Sequence, residues 1–459
     1  MENVVMLEFN ELSPTLLNQW MQAGLLPNFK KLHDTSRVWV TESDETEPVN
    51  MEPWIQWYSV HTGMPFSEHG VFHLTDGPKQ NHEDIWSYVA KHGHKVWNCS
   101  SMNARGFNFP GSAFLADPWC TSEAATPPAL NTFHSFVSHQ VREYSADRGL
   151  KLSDVFAFGT FMLSHGLSFK TVQMTLSQLL AEVSDKQVKW KRVAIQDRLL
   201  FDVFVWYFKH LKPKFSTFFV NSTAHLQHSY WRYMEPEKFA IQPDPGALSQ
   251  HKNSVLFGYQ SMDNLLGDFI RVLGPHARFV FSTALSQQPY LKYEDKGGLH
   301  FYRPKDFPAF LAKQGIKPVA IQPVMTHQFM LTFDNQAELD AAVQKLRPFK
   351  MGERGVFDIR EGEGFSLYLG SQINTNVPAD TQMVVEGGNG RRTVPFFDVF
   401  YRIEGLKSGR HHPDGCLWVQ SSRPAVSPEK ASILDIFPTV VDMLGLPSKM
   451  GIRGKVLSV

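Results

Sequence analysis

The sequence predicts an α/β protein built on a doubly wound, largely parallel sheet flanked by helices, and three observations carry that prediction. Short apolar runs of strand length recur at Val4–Leu7, Arg37–Val40, Lys95–Asn98, Phe215–Val220, Arg278–Phe281 and Leu417–Val419; a strand buried on both faces reads as a continuous apolar run rather than an alternating one. Stretches with helical start and stop residues lie between them. Polar clusters follow the strand ends, where α/β folds place their sites.

Taken in order, Val4-Val5-Met6-Leu7 runs into Glu8-Phe9-Asn10-Glu11, and Ser13-Pro14 reads as the cap and first-turn proline of a helix carrying Leu16, Leu17 and Trp20, ended by Gly24. Trp54–His61 is a helix stopped at Thr62-Gly63, and Trp86–His92 is another, placed before the strand at Lys95–Asn98. From 131 to 210 the period turns helical, with Phe133, Phe136, Val137 and Val141, then Phe169–Val183 and Val188–Tyr207, which predicts a helical cap insertion. Residues 319–384 predict a small α+β insertion through His327–Phe333, Gln336–Leu346, Phe357–Ile359 and Phe365–Leu369. The sheet domain is then expected in three pieces, 1–130, 211–318 and 385–459, the last closing with a helix over Ile433–Leu444 before Gly445.

At 459 residues the chain exceeds one core of typical size. Lys and Arg total 45 against 45 for Asp and Glu, which gives no reason to expect nucleic acid or an anionic membrane as partner. The opening MENVVMLEFNEL lacks a basic segment followed by a long apolar one, so no signal peptide is expected, and no apolar stretch approaches ~20 residues, so no membrane span is either. Cys99, Cys120 and Cys416 lack paired spacing and read as buried thiols of a cytoplasmic protein.

Three sets of words occur in order: Leu25-Leu26-Pro27-Asn28-Phe29-Lys30-Lys31-Leu32; His61-Thr62-Gly63 through His69-Gly70-Val71; and Asp435-Ile436-Phe437-Pro438-Thr439 through Leu444-Gly445-Leu446-Pro447. Together they resemble the alkaline phosphatase superfamily, in particular its type I phosphodiesterase/nucleotide pyrophosphatase branch, and Gly451-Ile452-Arg453-Gly454 fits the closing element loosely. The resemblance implies two cations about 4 Å apart, held mainly by Asp and His, and a hydroxyl or thiol nucleophile acting on phosphate or sulfate esters. Carried over position by position, most of that machinery is replaced. The first-strand Asp falls on Asn10, the nucleophile on Met51-Glu52-Pro53, the next Asp on Ala224, and an Asp-His pair on Thr283-Ala284, leaving His228 and one of His411 or His412 as matching ligands. The words EPWIQW, TALSQQP and HHPDG resemble those of a bacterial branch of the superfamily, so the departure reads as a property of a branch.

The vacated places hold chemistry of their own. Glu52, His228, His412 and Gln288 are the candidate catalytic residues; Glu8, Glu11, Gln287, His225, His411, Arg410 and Asp414 are candidate binding residues; Asn10, His228 and His412 are candidate ligands of one divalent cation, if a cation is used at all. Each has a plainer role open to it. Glu52 precedes Pro53 and would serve as a helix cap. His225 and His228 are three apart on one helix and share a face, where either would serve as a core histidine. His411 and His412 cannot both point inward from an extended segment. Gln287 and Gln288 would suit a turn before Pro289, and Glu8 or Glu11 a helix start. Arg303, Arg354, Arg360, Arg391 and Arg392 are further candidates for an anion clamp, with Arg410 favoured by its place beside the histidines. Two functions follow. One is a divergent hydrolase or group-transfer enzyme acting on a small molecule or glycan with a phosphate or sulfate ester, through a single-metal or metal-free site. The other is a non-catalytic binder of an anionic ligand or partner protein.

Overall fold

In the computed structural model, which describes residues 3–142, 151–323, 328–362, 364–387, 390–403 and 406–459, the first apolar run becomes the centre of the sheet. β1 (Asn3–Phe9) lies between β5 (Phe215–Val220) and β6 (Ala277–Ser282), parallel to both. Beyond β5 come β3 (Val96–Cys99) and β4 (Ala113–Leu115), also parallel. Beyond β6 the strand Asp414–Gln420 runs antiparallel and hands on to β2 (Ser36–Glu42), where Ala425–Val426 and Ala431–Ser432 finish the edge of a nine-stranded sheet. The apolar run at Leu417–Val419 predicts burial but carries no direction, so this reversal appears only in the fold.

Alternation along β1 feeds two cores. Val5, Leu7 and Phe9 face a layer with α1 (Pro14–Gln22), α2 (Pro27–Asp34) and the helices Val193–Leu211 and Ser254–Leu273. Val4 and Met6 face the other layer, with α3 (Pro53–Thr62) and the helices Ile85–Lys91 and Ile436–Met443. Each fully buried Leu or Phe is worth about 1.5–3 kcal/mol, so both faces hold β1 in place. No described helix is long and apolar enough to cross a membrane.

The stretch read as a helical cap carries the helices Leu130–Arg142, Leu152–Ser164, Phe169–Ser184 and Val193–Leu211, with 143–150 outside the described residues. The last of these belongs to the sheet-flanking layer: Phe201, Phe204 and Phe208 are buried in the first core. The inserted α+β unit is wider than 319–384, because its separate core runs from Tyr302 to Phe400 and its two ends pair, Tyr302–Pro304 against Phe400–Arg402. His327, expected to open a strand, lies outside the described residues, and that strand runs Phe329–Thr332.

What brings chemistry to the sheet is a hairpin-like pairing of distant segments. β7 (Ser286–Pro289) pairs antiparallel with Gly409–His412, setting Gln287 opposite His411 and Ser286 opposite His412 above the C-terminal ends of β1 and β6.

Candidate metal centre

The polypeptide leaves β1 through a sharp turn at Glu11, whose φ of 64° is left-handed. A non-glycine residue held there costs about 1–2 kcal/mol, a strain that recurs at functional sites. Asn10 fixes the turn. Its amide nitrogen donates to Glu11 Oε1 at 2.8 Å and to Asn221 Oδ1 at 2.7 Å, while its Oδ1 accepts from Trp57 Nε1 at 2.8 Å. Gln287 donates to the other Glu11 oxygen and to the Ala224 carbonyl at 2.9 Å. Gln227 donates to the Glu11 carbonyl at 2.9 Å and accepts from the Tyr259 hydroxyl.

Glu11 Oε2 lies 3.2 Å from His228 Nε2 and 3.6 Å from His411 Nε2, and the two rings meet edge to face at 5.2 Å between centroids. One ligand atom from each of the three residues falls within 4.8 Å of the other two. Each ring is oriented from behind. His228 Nδ1 lies 2.9 Å from the Gly409 carbonyl, which only accepts, so Nδ1 carries an N–H and Nε2 is the nitrogen turned to Glu11, where it donates when the ring is protonated. Gly409 has no alternative, since a Cβ there would stand 2.3 Å from Gln287 Oε1 and 2.6 Å from the Gln227 carbonyl. The His411 ring donates to the Met51 carbonyl, next in sequence to Glu52, whose Oε2 is 3.5 Å from Nδ1; that leaves Nε2 as the acceptor on the Glu11 side.

The charges follow the geometry. Burial alone would raise the Glu11 carboxyl, but His411 and His228, with hydrogen bonds from His228 and Gln287, hold its pKa at about 2. Burial pulls His411 down to about 4 against the attraction of Glu11, so this ring is neutral at pH 7 and its lone pair is available. Burial raises Glu52 to about 7, with Lys407 pulling it down and Glu11 pushing it up. Glu52 occupies the N-cap position of α3 yet makes no capping hydrogen bond, so its carboxylate is not spent on the helix.

The structure therefore brings together Glu11, Glu52, His228, His411 and Gln287 from distant segments. Gln288 supports them by donating to the His411 carbonyl at 3.1 Å. Other candidates stand apart. Asn10 gives both amide hydrogens to Glu11 and Asn221 and accepts from Trp57, so it holds the Glu11 carboxylate in place. His412, next to His411 on an extended strand, accepts from the Asp414 amide through Nδ1 and stands outside the cluster that Glu11, His228 and His411 form. Asp414 pairs with Lys430 at 2.6 Å, and Arg410 is exposed. His225 is exposed on the same helix as His228. Glu8 is sealed beneath the sheet edge against His61 at 2.8 Å. Arg303 is buried over the Phe329 ring, and Arg354, Arg360, Arg391 and Arg392 lie exposed on the inserted unit.

A cage for two cations does not fit these residues. Ala224 offers only its carbonyl, already taken by Gln287, and the Thr283 hydroxyl accepts from the Cys416 amide at 2.9 Å. One cation does fit, at the meeting point of one carboxylate oxygen and two imidazole nitrogens, a set that suits a divalent transition ion with coordination positions left open. Sequence reasoning missed Lys407, whose charge acts on both Glu52 and His411 and whose Nζ lies 5.7 Å from the Tyr290 ring centroid. Its signal was its place two residues before the Gly409–His412 strand.

No family model and no curated protein matches the chain. Solved structures do match along nearly the whole length. Murine ectonucleotide pyrophosphatase/phosphodiesterase 5 is 9% identical, with 98% of this chain and 96% of that chain covered and a TM-score of 0.40. Wild type alkaline phosphatase PafA is 13% identical over 100% and 98% of the two chains, with a TM-score of 0.47. Phosphonoacetate hydrolase from Sinorhizobium meliloti is 12% identical over 95% and 94%, with a TM-score of 0.40. At these identities the likeness is one of fold.

Proposed function

We propose that the chain is a hydrolase or group-transfer enzyme for an anionic ester, a phosphate or sulfate ester of a small molecule or glycan, working around one divalent cation held by Glu11, His228 and His411. The observation that carries the reading is the convergence of three groups able to hold a cation: a carboxylate oxygen held ionised and two imidazole Nε2 atoms, with the other ring nitrogens turned to backbone carbonyls. A cation at this point would take the place of the proton that His228 Nε2 otherwise shares with Glu11, with His411 Nε2 3.6 Å from the same oxygen.

When bound, the ion would supply Lewis-acid polarisation of an ester oxygen and acidify a water molecule beside it. The chain supplies the rest. Glu52, facing His411 from a helix start it does not cap, is placed to accept the proton of an attacking water. Lys407, set beside both residues, offers a positive charge to the anionic group of the ester. Gln287 and Asn10 hold the Glu11 carboxylate, which keeps the imidazole pair and the acid in register. Glu52 stands where the family words put the nucleophile, and water rather than a protein hydroxyl is the attacking group in this reading.

Purified protein loaded with zinc or manganese and screened against phosphomonoesters, phosphodiesters and sulfate esters tests it. Glu11→Gln should weaken cation binding by about 100-fold or more. Glu52→Gln should retain the cation and lower kcat by about 100-fold. A cation bound stoichiometrically without turnover of any ester class would leave a non-catalytic binder; no cation at all would remove the basis of the reading.

A further inference from the structure

The helix Ser222–Met234 brings His228 to the cluster, and one turn further along the same face it carries Arg232. Arg232 turns to the segment beyond β7. Its guanidinium donates to Glu294 Oε1 at 2.6 Å and to Glu294 Oε2 at 2.9 Å, a two-point grip, and to the Ile241 carbonyl at 2.8 Å. The Ile241 amide donates to the same carboxylate at 2.8 Å, and the Phe239 ring covers the guanidinium at 4.4 Å. The two side chains are 4% and 10% exposed.

A second tie lies one turn back. Ser408, fully buried, donates to the His228 carbonyl from its amide at 2.9 Å and from its hydroxyl at 3.1 Å, and its own carbonyl accepts from the Tyr290 amide at 2.9 Å. Ser408 immediately precedes the strand Gly409–His412, and Tyr290 immediately follows β7. The helix that holds His228 is therefore fastened twice to the strand pair that holds His411 and Gln287.

The two ties resist different motions. Backbone atoms lie close to a helix axis, so the Ser408 bonds to the His228 carbonyl oppose sliding more than rolling. Side chains stand about 5–6 Å from the axis, and a roll of about 10° would carry the His228 ring by about 1 Å. Ligand distances to a cation tolerate about 0.2 Å. The long arm of Arg232, gripped at two points in a fixed plane, opposes that roll. Stability is a weaker reason for the pair, because the cost of drying two charges offsets their attraction, and apolar residues of similar volume often serve a fold as well.

We infer that Arg232 and Glu294 are positioning residues, which set the rotation of the Ser222–Met234 helix so that His228 Nε2 meets Glu11 and His411 at ligand distance; this rests on the cation site proposed above.

The test is zinc affinity by calorimetry, with the visible absorption of the cobalt-loaded protein as a reporter of ligand geometry. Arg232→Met combined with Glu294→Leu removes both charges at once, so neither is left buried alone and the urea midpoint should stay near that of the parent. Zinc affinity should nevertheless fall by about tenfold or more, and the cobalt bands should change. Arg232→Lys keeps the charge without the planar fork and should weaken zinc by about threefold or more. Parental zinc affinity and cobalt bands in the folded apolar pair, or in Arg232→Lys should that pair not fold, would overturn the inference and leave the cation reading intact. A parent protein that binds neither zinc nor cobalt would remove the cation reading itself and this inference with it.

Discussion

Two glutamates three residues apart, Glu8 and Glu11, leave the same strand end and meet histidines in opposite ways. Glu8 is fully buried and touches His61, itself 3% exposed, through one oxygen at 2.8 Å; its second oxygen and His61 Nδ1 have no hydrogen-bond partner among the described residues. Two indoles close over that pair, Trp57 stacked on His61 at 5.7 Å and Trp86 at 4.6 Å. Glu11 instead has both oxygens engaged and faces two imidazoles rather than one, with His228 27% exposed to solvent. A sealed pair serves the fold even though one polar atom of each partner is left unmatched. The open cluster, in the proposed reading, is completed by a cation and serves a ligand.

The largest effect that would break this contrast is on stability. Removing one member of a buried pair leaves the other uncompensated, so Glu8→Ala should cost about 3–5 kcal/mol in urea unfolding while leaving cation affinity at the Glu11 cluster unchanged. Glu11→Gln should show the reverse, an intact fold that no longer holds the ion. Loss of cation binding in both variants would mean that the two pairs form one site, and the division between them would fail.

A third carboxylate sharpens the same contrast. Asp197, on the helix Val193–Leu211, is buried with Ser222 as its hydroxyl donor, and burial pushes its carboxyl up to about 7 while that hydrogen bond pulls the other way. The imidazoles are what Glu11 has and Asp197 lacks. Because this folded-state value lies above an unfolded value of about 4, the native state holds the extra proton between the two. Stability should therefore fall as pH rises from about 5 to 7 and level off above, by about 2 kcal/mol from this group. Asp197→Asn should remove that slope, read from urea midpoints across the range; a slope left unchanged would show that the carboxyl titrates at an ordinary pH.

How much of this was legible in the sequence depends on whether the signal is local. Strand burial was legible, since runs such as Val4–Leu7 and Phe215–Val220 are apolar without interruption, and so were the helix stops at Gly24 and Gly63. The antiparallel course of Asp414–Gln420 was not, because burial has no direction. The words around His228 and His411 marked segments that the fold brings together, yet which of His411 and His412 faces Glu11 follows from pairing with β7, a partner more than a hundred residues away. Glu11 read as a helix-start residue as easily as a binding one. Its left-handed backbone, fixed by Asn10 and Gln287, is a tertiary product. Lys407 carried no motif and became visible only when Gly409–His412 was laid beside Glu52.

The smallest expected effect falls on the residue that joins the two halves of the comparison. Asn10 accepts from Trp57, which stacks on His61 in the sealed pair, and donates to Glu11 and Asn221 in the open cluster. As a positioning residue it should matter less than a ligand and more than a surface amide. Asn10→Ala should weaken cation affinity by about tenfold, within the range seen when an outer hydrogen bond to a ligand is lost. It should also cost about 1–3 kcal/mol of stability, because the Trp57 N–H is left without its acceptor. Asn10→Asp separates these effects: it keeps an acceptor for Trp57 but sets a second carboxylate against Glu11 in place of a donor. If Asn10 acts by position, Asp should keep the tryptophan contact and disturb the Glu11 side, with cation affinity measured by calorimetry shifting further than stability. An Asn10→Asp variant that binds the cation more tightly, and still does so when Glu11→Gln is added, would make residue 10 itself a ligand.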